Sequence, residues 1–315
     1  MSKPYFTKKR LILISLAALV IVCATTAVLL YRVDNGFREE VDDIHSETYS
    51  NLFIDPTMNG TAEVKRNIPY CDTTSNFQKL DVYTPKKSET PRPVVVYIHG
   101  GGWSTGDKSN PFVVDYGAEI VKNNMAFISI NYRLAPKAVY PAQNQDVDCA
   151  LAYITTHANE LNVDVSKLAL IGDSAGSELA AMAALTSPSK SVIRAVIDCY
   201  GPSDIWAQIT RKPRADQWAI NYIGSKTNES LAKKISPLYA ILEGAPPFLI
   251  MHGTNDATVH YDQSLNFATK LTAAGVDVTL VPVKNANHYF SSKSQPTITQ
   301  IKTQMIAFLK QHISE

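Results

Sequence analysis

The sequence predicts a doubly wound α/β domain on a mostly parallel sheet, and three observations predict it. Short β-rich runs alternate with helical patterns from about residue 61 onward. Several of those runs are continuously apolar, as strands covered on both faces must be. The chain is also long, at 315 residues with 45% apolar and 19% charged. A chain of that size buries roughly three-quarters of its unfolded surface, so it needs no disulfide or metal to make a core. Thirty Lys and Arg nearly cancel twenty-nine Asp and Glu. That balance excludes an acidic disordered chain and gives no support to a nucleic-acid binder held by bulk charge.

In chain order, residues 1–10 are a basic tail and residues 11–30 (LILISLAALVIVCATTAVLL) carry no charge. Twenty helical residues match a hydrocarbon core about 30 Å thick. Lys3, Lys8, Lys9 and Arg10 precede the run, while Arg32 and Arg38 follow it. The charge bias predicts a single-pass membrane anchor with a cytoplasmic N-terminus and an extracytoplasmic body. A cleaved signal peptide ranks second, because the run exceeds the usual apolar region and no A-x-A site closes it. A lipoprotein at Cys23 ranks third, since Val20-Ile21-Val22 lacks the small residue expected there. Residues 31–60 form a linker in which Val33, Phe37, Val41 and Ile44 recur at helical spacing among acidic residues. It reads equally as an amphipathic helix packed on the body and as a solvated stalk.

The body spans 61–315. Strands are expected at 63–70, 79–85, 93–100, 125–133, 167–173, 192–201, 247–253 and 277–283, with the first two as an antiparallel edge pair. Helices are expected at 112–124, 144–160, 175–186, 261–274 and 297–312. Residues 203–237 break the rhythm with a Trp-containing helical stretch, either a small lid or an elaborated crossover. Cys71, Cys149 and Cys199 are odd in number, so at least one stays unpaired. Cys149 and Cys199 read as small core hydrophobes before bridge candidates. No CxxC or Cys/His cluster suggests a metal.

The sharpest chemical signal is Gly172-Asp173-Ser174-Ala175-Gly176, directly after the apolar strand KLALI and opening an Ala/Leu/Met-rich helix. A sharp strand-to-helix turn forces the serine into a strained conformation, and its small neighbours admit close chain contact. The serine Oγ is then exposed, with the N–H of Ala175 free at the helix start. The second signal is His99-Gly100-Gly101-Gly102-Trp103 after PVVVYI. Its glycines leave backbone N–H groups unshielded, and the lack of a following Lys-Ser/Thr rules out a P-loop. Asp256 and His288 each follow an apolar strand, in the order acid then histidine that such a serine requires. Asp204, Glu243 and Asp262 compete as the acid, but none sits just after a strand. Among other histidines, His252 reads as structural, His260 begins a helix, and His99 is better placed to hold its loop than to move protons.

Together, HGGGW and GDSAG resemble the hormone-sensitive-lipase-like branch of the α/β-hydrolase carboxylesterases. Asn131-Tyr132-Arg133-Leu134-Ala135-Pro136, Tyr140-Pro141-Ala142 and His252-Gly253-Thr254-Asn255-Asp256 resemble its other landmarks, over roughly 79–310. The resemblance implies the α/β-hydrolase fold, a triad of Ser174, Asp256 and His288, and an oxyanion hole from Gly101, Gly102 and Ala175. It implies no metal or other cofactor. Trp103, Asp173 and Tyr289 are expected to line the substrate pocket. Ser177, Glu178 and Tyr289 depart from the family pattern, and Arg133 with Asp146 is expected to form a structural ion pair. The expected function is hydrolysis of short-chain acyl or acetyl esters, the ester being a small molecule or part of the cell surface. A lipase or peptidase on the same triad, an acyltransferase, or a non-catalytic ligand-binding protein on this scaffold are the alternatives.

Overall fold

The computed structural model describes residues 62–71, 75–86, 90–211, 216–290 and 296–314. The anchor expected at 11–30 and the amphipathic stretch at 33–44 lie outside these residues. Among the described residues, no helix is long and apolar enough to cross a membrane.

Each of the eight β-rich runs forms a strand: β1 Ala62–Pro69, β2 Lys79–Pro85, β3 Arg92–Ile98, β4 Ala126–Ile130, β5 Val163–Asp173, β6 Ile193–Cys199, β7 Phe248–Gly253 and β8 Val278–Val283. They make one sheet in the order β1-β2-β4-β3-β5-β6-β7-β8. β1, β2 and β4 pair antiparallel, and every other pairing is parallel. The helices are α1 Ala118–Lys122 (entered through a π turn at Val113–Gly117), α2 Ala142–Thr156, α3 Ala158–Leu161, α4 Ala175–Thr186, α5 Ile205–Thr210, α6 Gln217–Ile223, α7 Glu229–Lys234, α8 Pro237–Ala240, α9 Asp262–Ala273 and α10 Ile298–Ile313. Thus the stretch at 203–237 consists largely of short helices rather than one long crossover.

The apolar runs are continuous because alternate residues serve two cores. In β3, Val94, Val96 and Ile98 pack on the face shared with Leu170, Leu179 and Leu151. Val95 and Tyr97 point the other way, toward Ile120, Met305 and Leu309. Full burial of each such aliphatic side chain stabilises the fold by roughly 1.5–3 kcal/mol. α4 is buried from Ala175 to Leu185, so its apolar residues run all round it and its alanines let it lie close to the sheet.

Cys149 is not simply a core hydrophobe: it forms a disulfide with Cys71. The bond joins α2 to the chain after β1, two segments whose proximity no sequence spacing reveals. Cys199 is buried and free, and burial pushes its thiol well up.

Topology determines where the chemistry collects. The chain places β4 on one side of β3 and β5 on the other, which makes β3/β5 the switch point of the sheet. Loops leaving the carboxyl ends of adjacent strands there diverge and leave a crevice. Ile98 is in register with Gly172, so the HGGGW and GDSAG loops emerge side by side.

Candidate active site

Ser174 sits at the β5–α4 turn with φ 51° and ψ −120°, a conformation that costs a non-glycine residue about 1–3 kcal/mol. The surroundings hold it there. The Ser174 N–H donates to Cys199 O at 2.8 Å. Ser177 donates its hydroxyl to Gly172 O at 2.7 Å and accepts from the Cys199 N–H at 2.9 Å. A Cβ on Gly176 would run into the Ile98 and His99 carbonyls, so only glycine lets α4 start this close to β3.

His288, in the loop after β8, accepts from the Ser174 hydroxyl at Nε2 over 2.9 Å. Its Nδ1–H donates to Asp256 Oδ2 at 2.7 Å. The carboxylate sets that tautomer, because it can only accept. Asp256, after β7, takes two further N–H groups on Oδ1, from Thr258 at 2.8 Å and Val259 at 2.9 Å. Its Oδ2 also accepts from His252 Nε2 at 3.1 Å. Burial pushes the Asp256 carboxyl up, but the bonds from His252 and His288 outweigh it and hold the group well below the usual carboxylate range. Tyr200 meets the His288 ring edge-on, with centroids 4.9 Å apart.

The glycine loop is aimed by its carbonyls. In a planar trans peptide the N–H points opposite the C=O. His99 Nδ1 holds Gly100 O at 2.7 Å, which turns the Gly101 N–H the other way. Ser104 and Thr105 N–H groups hold Gly101 O at 3.1 and 3.0 Å, which does the same for Gly102. Among the described residues, the N–H groups of Gly101, Gly102 and Ala175 have no protein partner. Gly102 has φ +60°, and a Cβ there would lie 2.7 Å from Cγ of Trp218.

Two of the three expected pocket residues, Trp103 and Asp173, are buried and bonded to other side chains and backbone. Asp173 accepts from Tyr97 Oη at 2.6 Å and the Gly100 N–H at 2.8 Å. Burial raises its carboxyl, and those two bonds oppose the rise. Trp103 donates from Nε1 to Glu178 Oε2 at 2.9 Å and stacks on Tyr222 at 4.5 Å. The aromatic and carboxyl side chains are drawn inward by these partners, away from solvent. Tyr289, by contrast, is 65% exposed beside His288.

Competing residues are occupied elsewhere. Asp204 caps α5 through the Ala207 N–H and accepts from Tyr239 Oη. Glu243, His260 and Asp262 are exposed. Arg133 pairs with Asp146 at 2.7 Å.

Three residues have contacts at this site that the sequence does not assign to them. His252 is structural as expected, yet it touches Asp256 directly. Its Nε2–H also reaches Val259 O at 2.9 Å, and its Nδ1 accepts from Ser264 Oγ at 2.6 Å. The signal was its place four residues before the acid. Glu178 is 1% exposed, and burial pushes its carboxyl up to about 8 against the Trp103 hydrogen bond. A lone charge in the apolar run 175–186 was its mark. Trp218, half-exposed on α6, had no comparable sign.

The BD-FAE family model matches residues 80–271, more than half of the chain. Esterase LipC of Mycobacterium tuberculosis is 27% identical over 246 residues, which are 72% of this chain and 60% of that protein. Carboxylesterase NlhH of the same organism is 32% identical over 217 residues, 63% of this chain and 66% of the relative. The chain spans 51% to 60% of the length of three curated relatives, LipC and two Arabidopsis thaliana proteins. A truncated form of a carbohydrate esterase from gut microbiota superposes with a TM-score of 0.72 at 26% identity, covering 81% of this chain and 98% of that one.

Proposed function

The chain belongs to the BD-FAE family and is an α/β-hydrolase of the carboxylesterase kind, and from that premise we propose that it hydrolyses carboxylic esters through a serine acyl-enzyme. The observation that carries the reading is the unbroken relay Ser174 Oγ–His288–Asp256, with spacings of 2.9 and 2.7 Å, beside the N–H groups of Gly101, Gly102 and Ala175, which have no partner among the described residues. Ser174 Oγ attacks the ester carbonyl while His288 Nε2 takes its proton. Asp256, held ionised, keeps the imidazole in the accepting tautomer and stabilises the imidazolium. The Gly101, Gly102 and Ala175 N–H groups receive the negative oxygen of the tetrahedral intermediate. His288 then returns the proton to the leaving alcohol. It next activates water for attack on the acyl-enzyme, which releases the acid and restores Ser174.

For substrate we propose short acyl or acetyl esters, carried on a carbohydrate or another cell-surface molecule. The similarity to a carbohydrate esterase supports this. We propose with it an extracytoplasmic location through a membrane anchor at 11–30. The Cys71–Cys149 bond supports that location, because disulfides persist in oxidising compartments.

The test is turnover of aryl esters of increasing acyl length, with fluorophosphonate labelling in parallel. Ser174→Ala is expected to keep the fold, lose ~10⁴-fold or more in kcat and take no label. Near-normal turnover by that variant would overturn the serine mechanism.

A further inference from the structure

A hole made of N–H groups from two different elements works only if their spacing is held. Gly101 and Gly102 lie on the loop after β3, whereas Ala175 begins α4. The residues flanking the two glycines are each tied to the nucleophile element by a carboxyl group. On one side the Gly100 N–H donates to Asp173, one residue before Ser174. On the other, Trp103 Nε1 donates to Glu178, one helical turn after Ser174.

We propose that Glu178 is a positioning residue, whose bond to Trp103 sets the distance between the oxyanion loop and the start of α4; the proposal rests on the ester-hydrolase reading above. Every other residue from Ala175 to Leu185 except Ser177 is apolar or glycine, and a second apolar side chain would suit Glu178's surroundings better. Its other oxygen, Oε1, is buried with no hydrogen-bond partner, which is unfavourable in itself. The carboxyl's close hydrogen bond is the one from Trp103, at 2.9 Å, with the Tyr222 hydroxyl as a weaker second neighbour. Trp103 in turn has φ +57°, a strained value for a bulky residue that must be imposed from outside. Glu178, the Tyr222 ring and the Ala135 N–H, which donates to Trp103 O at 2.8 Å, impose it together. Because Trp103 directly follows Gly102, any rotation of its backbone re-aims the Gly102 N–H.

The test compares Glu178→Leu, Glu178→Gln, Trp103→Phe and the Leu/Phe double variant in the full chain, with kcat and KM on an aryl acetate. Deleting one oxyanion donor costs about 10²–10³-fold in kcat, so misplacing one should cost roughly 10–100-fold. Glu178→Leu and Trp103→Phe should each lose that much in kcat, with KM within about threefold and the double variant no worse than the poorer single. Glu178→Gln should restore activity to within about threefold of wild type, because its amide oxygen still accepts the indole N–H. Wild-type kcat in both Glu178→Leu and Trp103→Phe, or losses that multiply in the double variant, would overturn the proposal. If Glu178→Leu does not fold, Trp103→Phe, which retains a ring against Tyr222, decides together with Glu178→Gln. A wild-type protein that neither hydrolyses esters nor takes a fluorophosphonate label would instead overturn the underlying reading.

Discussion

Asp256→Asn changes one atom of the site, and the hydrogen bonds around it say what must follow. Asp256 accepts four N–H groups, two on each oxygen: Thr258 and Val259 on Oδ1, His252 and His288 on Oδ2. Asparagine has one oxygen. With its NH₂ on the Oδ1 side, the buried Val259 N–H and the part-buried Thr258 N–H lose their acceptor, at a cost of about 1–3 kcal/mol for a buried group. With its NH₂ on the Oδ2 side, it meets His252 Nε2–H, which keeps Val259 O as its acceptor, and His288 Nδ1, where the imidazole can relieve the clash by moving its proton to Nε2. The second arrangement therefore wins. It leaves an N–H facing Ser174 where an acceptor is needed, so the base is lost while the fold survives. A wrong-tautomer histidine lowers kcat by ~10⁴-fold, equivalent to about 5.5 kcal/mol of barrier. KM should change little, because Asp256 is buried behind His288. The assay is kcat and KM on an aryl acetate, with labelling rate as a second readout and Asp204→Asn as control. Asp204 serves α5 and Tyr239, and asparagine also caps helices, so the control should retain activity. Asp256→Asn within tenfold of wild type, or the larger loss in Asp204→Asn, would refute the reasoning.

Glu178 should make stability fall on the alkaline side. Folded, it holds its proton up to about pH 8, whereas the ordinary value is 4.5. Between those values the unfolded chain has released a proton that the native state keeps, so stability is lost as pH rises, by ~5 kcal/mol at about 1.4 kcal/mol per pH unit. Asp256, held low, acts in the opposite sense, and its contribution is lost as pH falls. Urea unfolding of wild type and Glu178→Gln at pH 5.5 and 8.5 checks this; parallel pH dependence in both would contradict it. Trp218→Ala should open space beside Gly102 and raise kcat/KM for bulky esters relative to acetate, at about 0.8 kcal/mol per newly buried CH₂. An unchanged acyl-length profile would remove Trp218 from the pocket. In the native membrane fraction, intact mass should retain residues 11–30; a mature N-terminus between Thr26 and Asp34 would identify a cleaved signal peptide instead.

Several features of this protein can be read without its structure. Strand existence is one, because the runs in β3, β5 and β7 are buried on both faces and so lose all polar alternation. The bounds of α4 are another: the GDSAG turn starts it and Ser187-Pro188 follows its end. Ser174, Asp256 and His288 were legible for the same local reason, each standing just beyond an apolar strand in the required order. The contacts that brace this site are of another kind. Glu178 and Trp103 are 75 residues apart, and the Cys71–Cys149 bond spans 78. Such pairs meet only because β4 and β5 flank β3, an arrangement that leaves no period in the sequence. Burial then gives a side chain its role. Trp103 and Asp173 carry the chemistry of pocket residues, and burial joins them to Glu178 and Tyr222, and to Tyr97 and Gly100. His252, which reads as structural, is carried by β7 to within hydrogen-bonding distance of Asp256. Local sequence thus determined which serine, acid and histidine stand at strand ends, while strand order and burial decided what holds them within hydrogen-bonding distance.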